Sequence, residues 1–197
     1  MTSFRTFDEV PLFYYDLIMA DPNWEFETYS AAGKGKSAER HYECSSVDQI
    51  KAMPVGQMAS PNCLLWLWAT NPMLLEAIEV MQAWGFTYKT MGVWAKMSKT
   101  WTYGMAKPKQ QFGGGYILRS ASEPFLIGTI GRPQTTNSTR GAIIAAVREH
   151  SRKPDAAFTA AENLMPNARR IELYSRQTRD GWDTAGHEVG KFDEATL

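Results

Sequence analysis

The chain holds one short run whose residue types suit a specific chemistry. Tyr14 to Ala20 is mostly apolar and stops at Asp21-Pro22-Asn23-Trp24. Apolar runs bounded by turn residues read as buried strands of a parallel sheet. Asp, Pro and Asn are also ordinary turn formers, so the tetrapeptide alone reads first as a turn. Its functional reading is a cradle for an exocyclic amine such as adenine N6, a weak nucleophile whose lone pair is delocalised into the ring. The Asp21 carboxylate and the Pro22 carbonyl can each accept one amine N–H. That aims the lone pair and stabilises the positive charge that develops on nitrogen. Pro22 lacks an N–H, so its own nitrogen offers no competing donor. Trp24 offers a flat face for a base, a contact of roughly 1–3 kcal/mol in stacked systems.

The elements that must hold this run are read from periodicity and punctuation. Leu64 to Trp68 reads as a second buried strand, with Trp66 and Trp68 on one side of it as core residues. Thr70-Asn71-Pro72 then opens a helix: a capping residue, then Pro at the first helical position. Leu74, Leu75, Ile78, Met81 and Trp84 recur at helical spacing, and Gly85 closes the segment. Tyr88 to Trp94, Phe125 to Ile130 and Ile171 to Tyr174 are further strands, and Pro154 to Leu164 is a helix. Residues 95–115 form a long lysine-bearing loop with three consecutive glycines, Gly113 to Gly115. Strands alternating with helices give an α/β class with a mainly parallel sheet. Ligands of such sheets lie beyond the carboxyl ends of strands, so the residues after each strand are the ones to read.

The chain has 197 residues, 44% of them apolar and 12% aromatic, which suits one packed domain over residues 1–197. Its net charge is zero, with 21 basic and 21 acidic residues. The average hides a split. Residues 1–88 carry 5 basic and 11 acidic groups, residues 89–153 carry 11 and 2, and residues 154–197 carry 5 and 8. A basic middle between acidic ends is a footprint for a polyanion, chiefly through Lys96, Lys99, Lys107, Lys109, Arg119 and Arg132. Two cysteines make no disulfide framework, and MTSFRTFDEV has no apolar signal region, so a cytoplasmic protein is expected. No apolar run approaches the ~20 residues of a membrane span.

Beyond the Asp-Pro run, a series of segments resembles one family. They are YYDLIMADPNW, ERHY at Glu39 to Tyr42, LLWLWATNP at Leu64 to Pro72, and EVMQAWGFTYKT at Glu79 to Thr90. GYILRSASEPFLIGTIGRP at Gly115 to Pro133, REHSRKPD at Arg148 to Asp155, and IELYSRQTRDGWDTAGHE at Ile171 to Glu188 continue the series. Together they resemble the MT-A70 adenine N6 methyltransferases, whose signature is Asp-Pro-Pro-Trp after an apolar strand. The resemblance implies a Rossmann-like fold in permuted motif order and S-adenosyl-L-methionine as cofactor. It implies that Asp21, Pro22, Asn23 and Trp24 hold the target adenine. It places Lys153 on the cofactor's methionyl carboxylate, a fitting partner for a compact cation. Tyr174, Arg176, His187 and Glu188 fall at positions lining its ribose and adenine, and Asp21 borders it. Glu123 falls near the substrate pocket. Lys34, Lys36, Arg40, His41, Tyr42, Lys107, Lys109 and Arg119 are the expected substrate contacts.

Two positions depart from the family pattern. Asn23 replaces the second Pro, and Asn tolerates turn geometry. His187 stands where Asn is usual and keeps the capacity to donate or accept. DNA is the expected polymer, since the chain carries no added RNA-binding module; RNA stays open, as do a homodimer or heterodimer. A non-catalytic partner subunit is the reading from another class, and a small-molecule N-methyltransferase would leave the clustered lysines without purpose. His41-x-x-Cys44 with Cys63 lacks the second pair of a metal site, and Gly33-Lys34-Gly35-Lys36 lacks the Lys-Ser/Thr of a P-loop. Asp21→Ala is expected to abolish methyl transfer to adenine while the fold persists. Unchanged turnover in a labelled-methyl assay would remove Asp21 from the chemistry.

Overall fold

The computed structural model describes residues 1–24, 45–107, 109–115, 117–149 and 152–193. Among them the strands are β1 (Ser3–Phe4), β2 (Tyr15–Ala20), β3 (Ala59–Trp68), β4 (Thr87–Met97), β5 (Ser122–Ile130), β6 (Ala142–Ala146), β7 (Arg170–Leu173) and β8 (Asp183–Ala185). The helices are α1 (Val47–Lys51), α2 (Val55–Met58), α3 (Leu74–Ala83) and α4 (Asp155–Leu164). The strands form one sheet in the order β1-β8-β7-β2-β3-β5-β4-β6. All neighbours are parallel except β5, which runs against both β3 and β4. This is the α/β, mainly parallel arrangement expected of the sequence.

Alternation along the central strands splits the core into two layers. Ile18, Ala20, Leu65, Leu67, Leu126, Ile171 and Leu173 face α1, α2 and α3, packing on Ile50, Met58, Ala77, Val80 and Met81. Leu17, Met19, Leu64, Trp66, Trp68, Trp94 and Phe125 face α4, packing on Ala157, Phe158 and Ala161. Both faces of β2 and β3 are therefore covered, which is why their sequences read as unbroken apolar runs. Trp66 and Trp68 lie in the core as the pattern predicts, Trp66 stacked on Phe125 at 4.1 Å between ring centroids.

Punctuation marks some boundaries correctly and not others. Gly85 adopts φ 84°, donates its N–H to Gln82, and lets Phe86 reach back to Met81, a double bond pattern that closes α3. At the other end the expected side-chain cap does not form. Thr70 precedes a 3₁₀ turn, Asn71–Met73, and its buried hydroxyl makes no hydrogen bond. Strands β1, β6 and β8 carry no clear sequence signal. β1 and β8 are two and three residues long, too short for a periodic pattern. β6 carries the apolar AIIAA, and the helix-forming alanines mask it. β4 and β5 extend beyond their expected ends, so the loop between them is residues 98–121 rather than 95–115.

One polar cluster ties the starts of three strands. The Arg169 guanidinium donates from Nε to Asp16 Oδ2 and from Nη2 to Asp16 Oδ1, each at 2.8 Å, and Ser60 Oγ donates to Oδ1 at 2.8 Å. Asp16 opens β2, Ser60 lies in β3 and Arg169 precedes β7. The Arg169 bonds, aided by Ser60, hold the Asp16 carboxyl at about 2 despite partial burial. Because its pKa is depressed on folding, the stabilisation is full above the ordinary Asp range and fades as pH falls towards 2. No helix among the described residues is long and apolar enough to cross a membrane. Asp16→Ala should lower stability at pH 7 by about 1–3 kcal/mol, and the gap from the wild type in urea melts should narrow towards pH 2.

Candidate active site

The carboxyl ends of β2, β3, β7 and β8 lie on one edge of the sheet. β5 is reversed, so its beginning lies on that edge: Trp68 pairs with Phe125, and Ala95 with Ser122. Glu123 and Lys96 therefore reach the same edge from inside strands rather than from loops after them. A search confined to the residues after each strand passes over both for this reason.

Four charges run in line there. Lys153 Nζ lies 2.5 Å from Asp21 Oδ2 and 2.9 Å from Glu123 Oε1, and Lys96 Nζ lies 2.5 Å from Glu123 Oε2. The two cations and two anions cancel. Lys153 is the most enclosed, its side chain 7% exposed against 26% for Asp21. Its ammonium also sits 5.4 Å from the centre of the Trp68 ring, and that of Lys96 4.9 Å from the centre of the Trp94 ring. Burial alone would drive Lys153 towards neutrality; the Asp21 and Glu123 carboxylates outweigh it and raise the ammonium's pKa. Burial pushes Glu123 up as well, yet Lys153 and Lys96 hold it below the usual carboxylate range. At Asp21 burial, joined by repulsion from Glu123, outweighs the pull of Lys153 and of Arg176, and its pKa is raised. An ammonium has three donors, and two of those on Lys153 go to these carboxylates.

The turn after β2 is tightly made. The Trp24 N–H donates to the Pro22 carbonyl at 2.9 Å, and the Ser45 N–H to the Asn23 carbonyl at 3.0 Å. The Trp24 indole N–H donates to the Trp68 carbonyl at 3.1 Å. Trp24 is 4% exposed and belongs to the core layer. It is not the open stacking face expected from the sequence; here it anchors the Asp-Pro-Asn turn to the end of β3.

Beside the turn is a cleft of about 250 Å³. Asn23, Tyr174, Arg176, His187 and Glu188 all line it, as do Ser175 and Gly186. The structure thus brings the ribose- and adenine-side candidates together, two residues along the chain from Asp21. The ends of β7, β8 and β1 build its floor: Ser175 N–H donates to Ala185 at 3.0 Å and Gly186 N–H to Phe4 at 3.2 Å. A Cβ on Gly186 would stand 2.9 Å from the Ser175 carbonyl oxygen, which explains glycine there. Tyr174 holds φ 62°, a strained conformation, with its ring edge-on to Phe7 at 5.1 Å. Arg176 Nε pairs with Glu188 at 3.0 Å, and Lys191 pairs with Glu188 as well. Phe7, Ser45, Gln49, Ile50 and Met53 complete the lining. They come from the N-terminal segment and the stretch around α1, where no motif marks them.

Other candidates fall elsewhere. Lys107, Lys109 and Arg119 are exposed on residues 98–121, with the Arg119 guanidinium 5.3 Å from the Phe112 ring centre. Lys96 is not a free backbone contact, because it is paired with Glu123. Arg132 lies past the far end of β5, where Ile130 pairs with Cys63, so it sits at the opposite edge of the sheet. Lys34, Lys36, Arg40, His41, Tyr42 and Cys44 lie outside the described residues. Among the described residues no three His, Cys, Asp or Glu side chains gather as a metal site, and Cys63 is a buried free thiol.

One titratable group carries no motif in the sequence. Glu172 lies in β7 opposite Met19, on the α4 side, and accepts from Ser175 Oγ at 2.7 Å. Burial raises its carboxyl to about 7, against the lowering pull of Ser175 and Arg179. A charged residue inside the apolar IELY is the one signal that could have found it.

Fold and site together define an α/β domain with a cleft and a line of enclosed charges at the carboxyl ends of its parallel strands. A family model described as MT-A70 matches residues 15–188, and the chain belongs to that family of S-adenosyl-L-methionine-dependent N6-adenine methyltransferases. The type II methyltransferase M.MunI of Mycoplasma sp is 28% identical, the match covering 94% of this chain and 82% of that protein. An N(6)-adenosine-methyltransferase MT-A70-like protein of Arabidopsis thaliana is 27% identical over 89% of this chain and 24% of its own length. Human METTL4, an N(6)-adenine-specific methyltransferase, is 26% identical over 90% of this chain and 38% of its own. The chain thus spans most of the first relative and well under half of the other two.

Glu172 yields a pH prediction. Its pKa is raised on folding, so the folded state holds its proton in the interval from the ordinary Glu value to about 7, and stability declines as pH rises through that interval. Glu172→Gln keeps an acceptor for Ser175 without the charge. In the ligand-free protein it should be near wild type at pH 4.5 and more stable by about 1–3 kcal/mol at pH 8 in urea titrations.

Proposed function

We propose that this chain methylates the N6 amine of adenine in DNA. The observation that carries the reading is one turn shared by two sites: Asn23 lines the cleft, and Asp21 stands in the ion line beside it. Tyr174, Arg176, His187 and Glu188 hold the adenosine half of S-adenosyl-L-methionine, and Lys153 takes its carboxylate. When bound, the cofactor supplies a methyl group on a sulfonium, an electrophile that needs no further activation.

The chain's residues do the rest. Asp21 gives one oxygen to Lys153 and offers its remaining acceptor capacity to an amine N–H. The Pro22 carbonyl has two lone pairs, one engaged by Trp24, and accepts the second N–H. Both acceptors stabilise positive charge developing on nitrogen. Burial makes Asp21 a stronger acceptor than an exposed carboxylate, while Lys153 keeps it oriented. Asn23 shapes the turn and Trp24 fixes it. Glu123 keeps Lys153 charged and in place.

DNA is favoured because the likeness to the type II methyltransferase M.MunI runs through 82% of that protein's length, and the lysine-bearing segment on the catalytic edge suits a polyanion. Lys107, Lys109 and Arg119 would meet phosphates there; the family resemblance adds Lys34, Lys36, Arg40, His41 and Tyr42 as substrate contacts. A duplex substrate requires the adenine to leave the stack, at a cost of a few kcal/mol. The reading places the protein in the cytoplasm, at the nucleoid. Digestion and mass spectrometry of host nucleic acids, with and without the expressed chain, should show N6-methyladenine rising in DNA. A rise in RNA alone would reassign the substrate, and cofactor binding with no transfer to either would favour a partner subunit. Transfer to DNA should also weaken steeply as salt rises.

A further inference from the structure

We propose that Ile117 and Leu118 form an apolar wedge that enters the base stack of duplex DNA beside the target adenine. The proposal rests on the adenine reading above and concerns how the base is exposed.

The segment between β4 and β5 is a built projection. It makes two turns: Ser98 N–H donates to Lys109, and Gln111 N–H to Lys96, each at 2.8 Å, closing the first. In the second, Gly113 N–H donates to Ser120 and Ser120 N–H to Gly114, each at 3.0 Å, while Lys96 N–H donates to Ala121 at its base. A Cβ on Gly115 would lie 2.0 Å from the Leu118 carbonyl oxygen, so the turn closes only around glycine. At its tip Ile117 is 96% exposed and Leu118 83%. Two adjacent aliphatic side chains held almost wholly in water contribute nothing to the core, and such a feature points to a contact.

The surroundings say what kind of contact. Residues 98–121 contain Lys99, Lys107, Lys109 and Arg119 and no Asp or Glu. Tyr103 and Phe112 are exposed too, at 95% and 74%. Cations around a bare aliphatic tip match a polyanion whose interior is apolar, as a base stack is. Leu and Ile are among the side chains that part base steps when inserted. Position agrees: Lys96, at the root, is one link from Glu123, two from Lys153 and three from Asp21. Filling the gap left by an extruded base offsets the unstacking that extrusion costs.

The test compares wild type with the double variant Ile117→Ser, Leu118→Ser on a random-sequence DNA pool, supplied as duplex and as separated strands. Labelled-methyl transfer by the variant should fall roughly tenfold or more on duplex and stay within about twofold on single strands. The single-strand rate is also the control for folding. An equal loss on both forms, or no loss on either, overturns the wedge. So does a wild-type dimer that the variant dissolves in light scattering, which would make the tip a contact between copies of this chain. Wild-type activity confined to single strands overturns the wedge alone. Activity on neither pool overturns the DNA reading with it.

Discussion

The site depends on a single ammonium. Lys153 is nearly enclosed and touches two carboxylates from different strands, Asp21 at the end of β2 and Glu123 at the start of β5. Removing a charge from water is costly unless its partners are close, and breaking such a pair leaves the remaining charge stranded. Here one partner, Asp21, is the carboxylate proposed to receive the amine N–H. The same attraction that lets the lysine be buried fixes the carboxylate of the Asp-Pro-Asn-Trp turn. Lys96 completes the balance, so the edge of the sheet carries four charges and no net one.

That neutrality governs how the site meets ligands. A net anionic edge would repel both phosphate and carboxylate; a net cationic one would hold them without discrimination. A neutral line with one lysine donor uncommitted to Asp21 or Glu123 can accept a carboxylate by sharing. Glu172 adds a buried carboxyl on the same side of the sheet, within electrostatic reach of Asp21 and Lys153. Its Ser175 partner lines the cleft, so one hydroxyl joins the cleft wall to Glu172.

Much of this is legible in the residues, and the gaps have physical causes. β2 and β3 announce themselves because both faces are buried, and α3 because its glycine sits in the closing turn. Asp21, Lys153, Tyr174, Arg176, His187 and Glu188 are located by motif, and the structure gathers them along one edge. The pairing of Lys153 with Glu123 is not legible, because it depends on β5 running backwards, which nothing local to its sequence records. Lys96 reads as a solvated phosphate contact for the same reason. Trp24 reads as a stacking face because its ring type fits that task; only the fold shows its N–H committed to the Trp68 carbonyl. Phe7 and Met53 reach the cleft through long-range topology, beyond the view of any motif.

The reversal of β5 has one more consequence. In a wholly parallel sheet each connection must travel the length of the sheet to begin the next strand. Because β4 ends and β5 begins on the same edge, residues 98–121 leave and return at neighbouring points, closed at the root by their own backbone bonds. Such an excursion can grow, shrink or change composition while every strand stays in register. The segment proposed to meet the substrate is thereby housed apart from the cleft and the ion line, and one can drift while the other is held still.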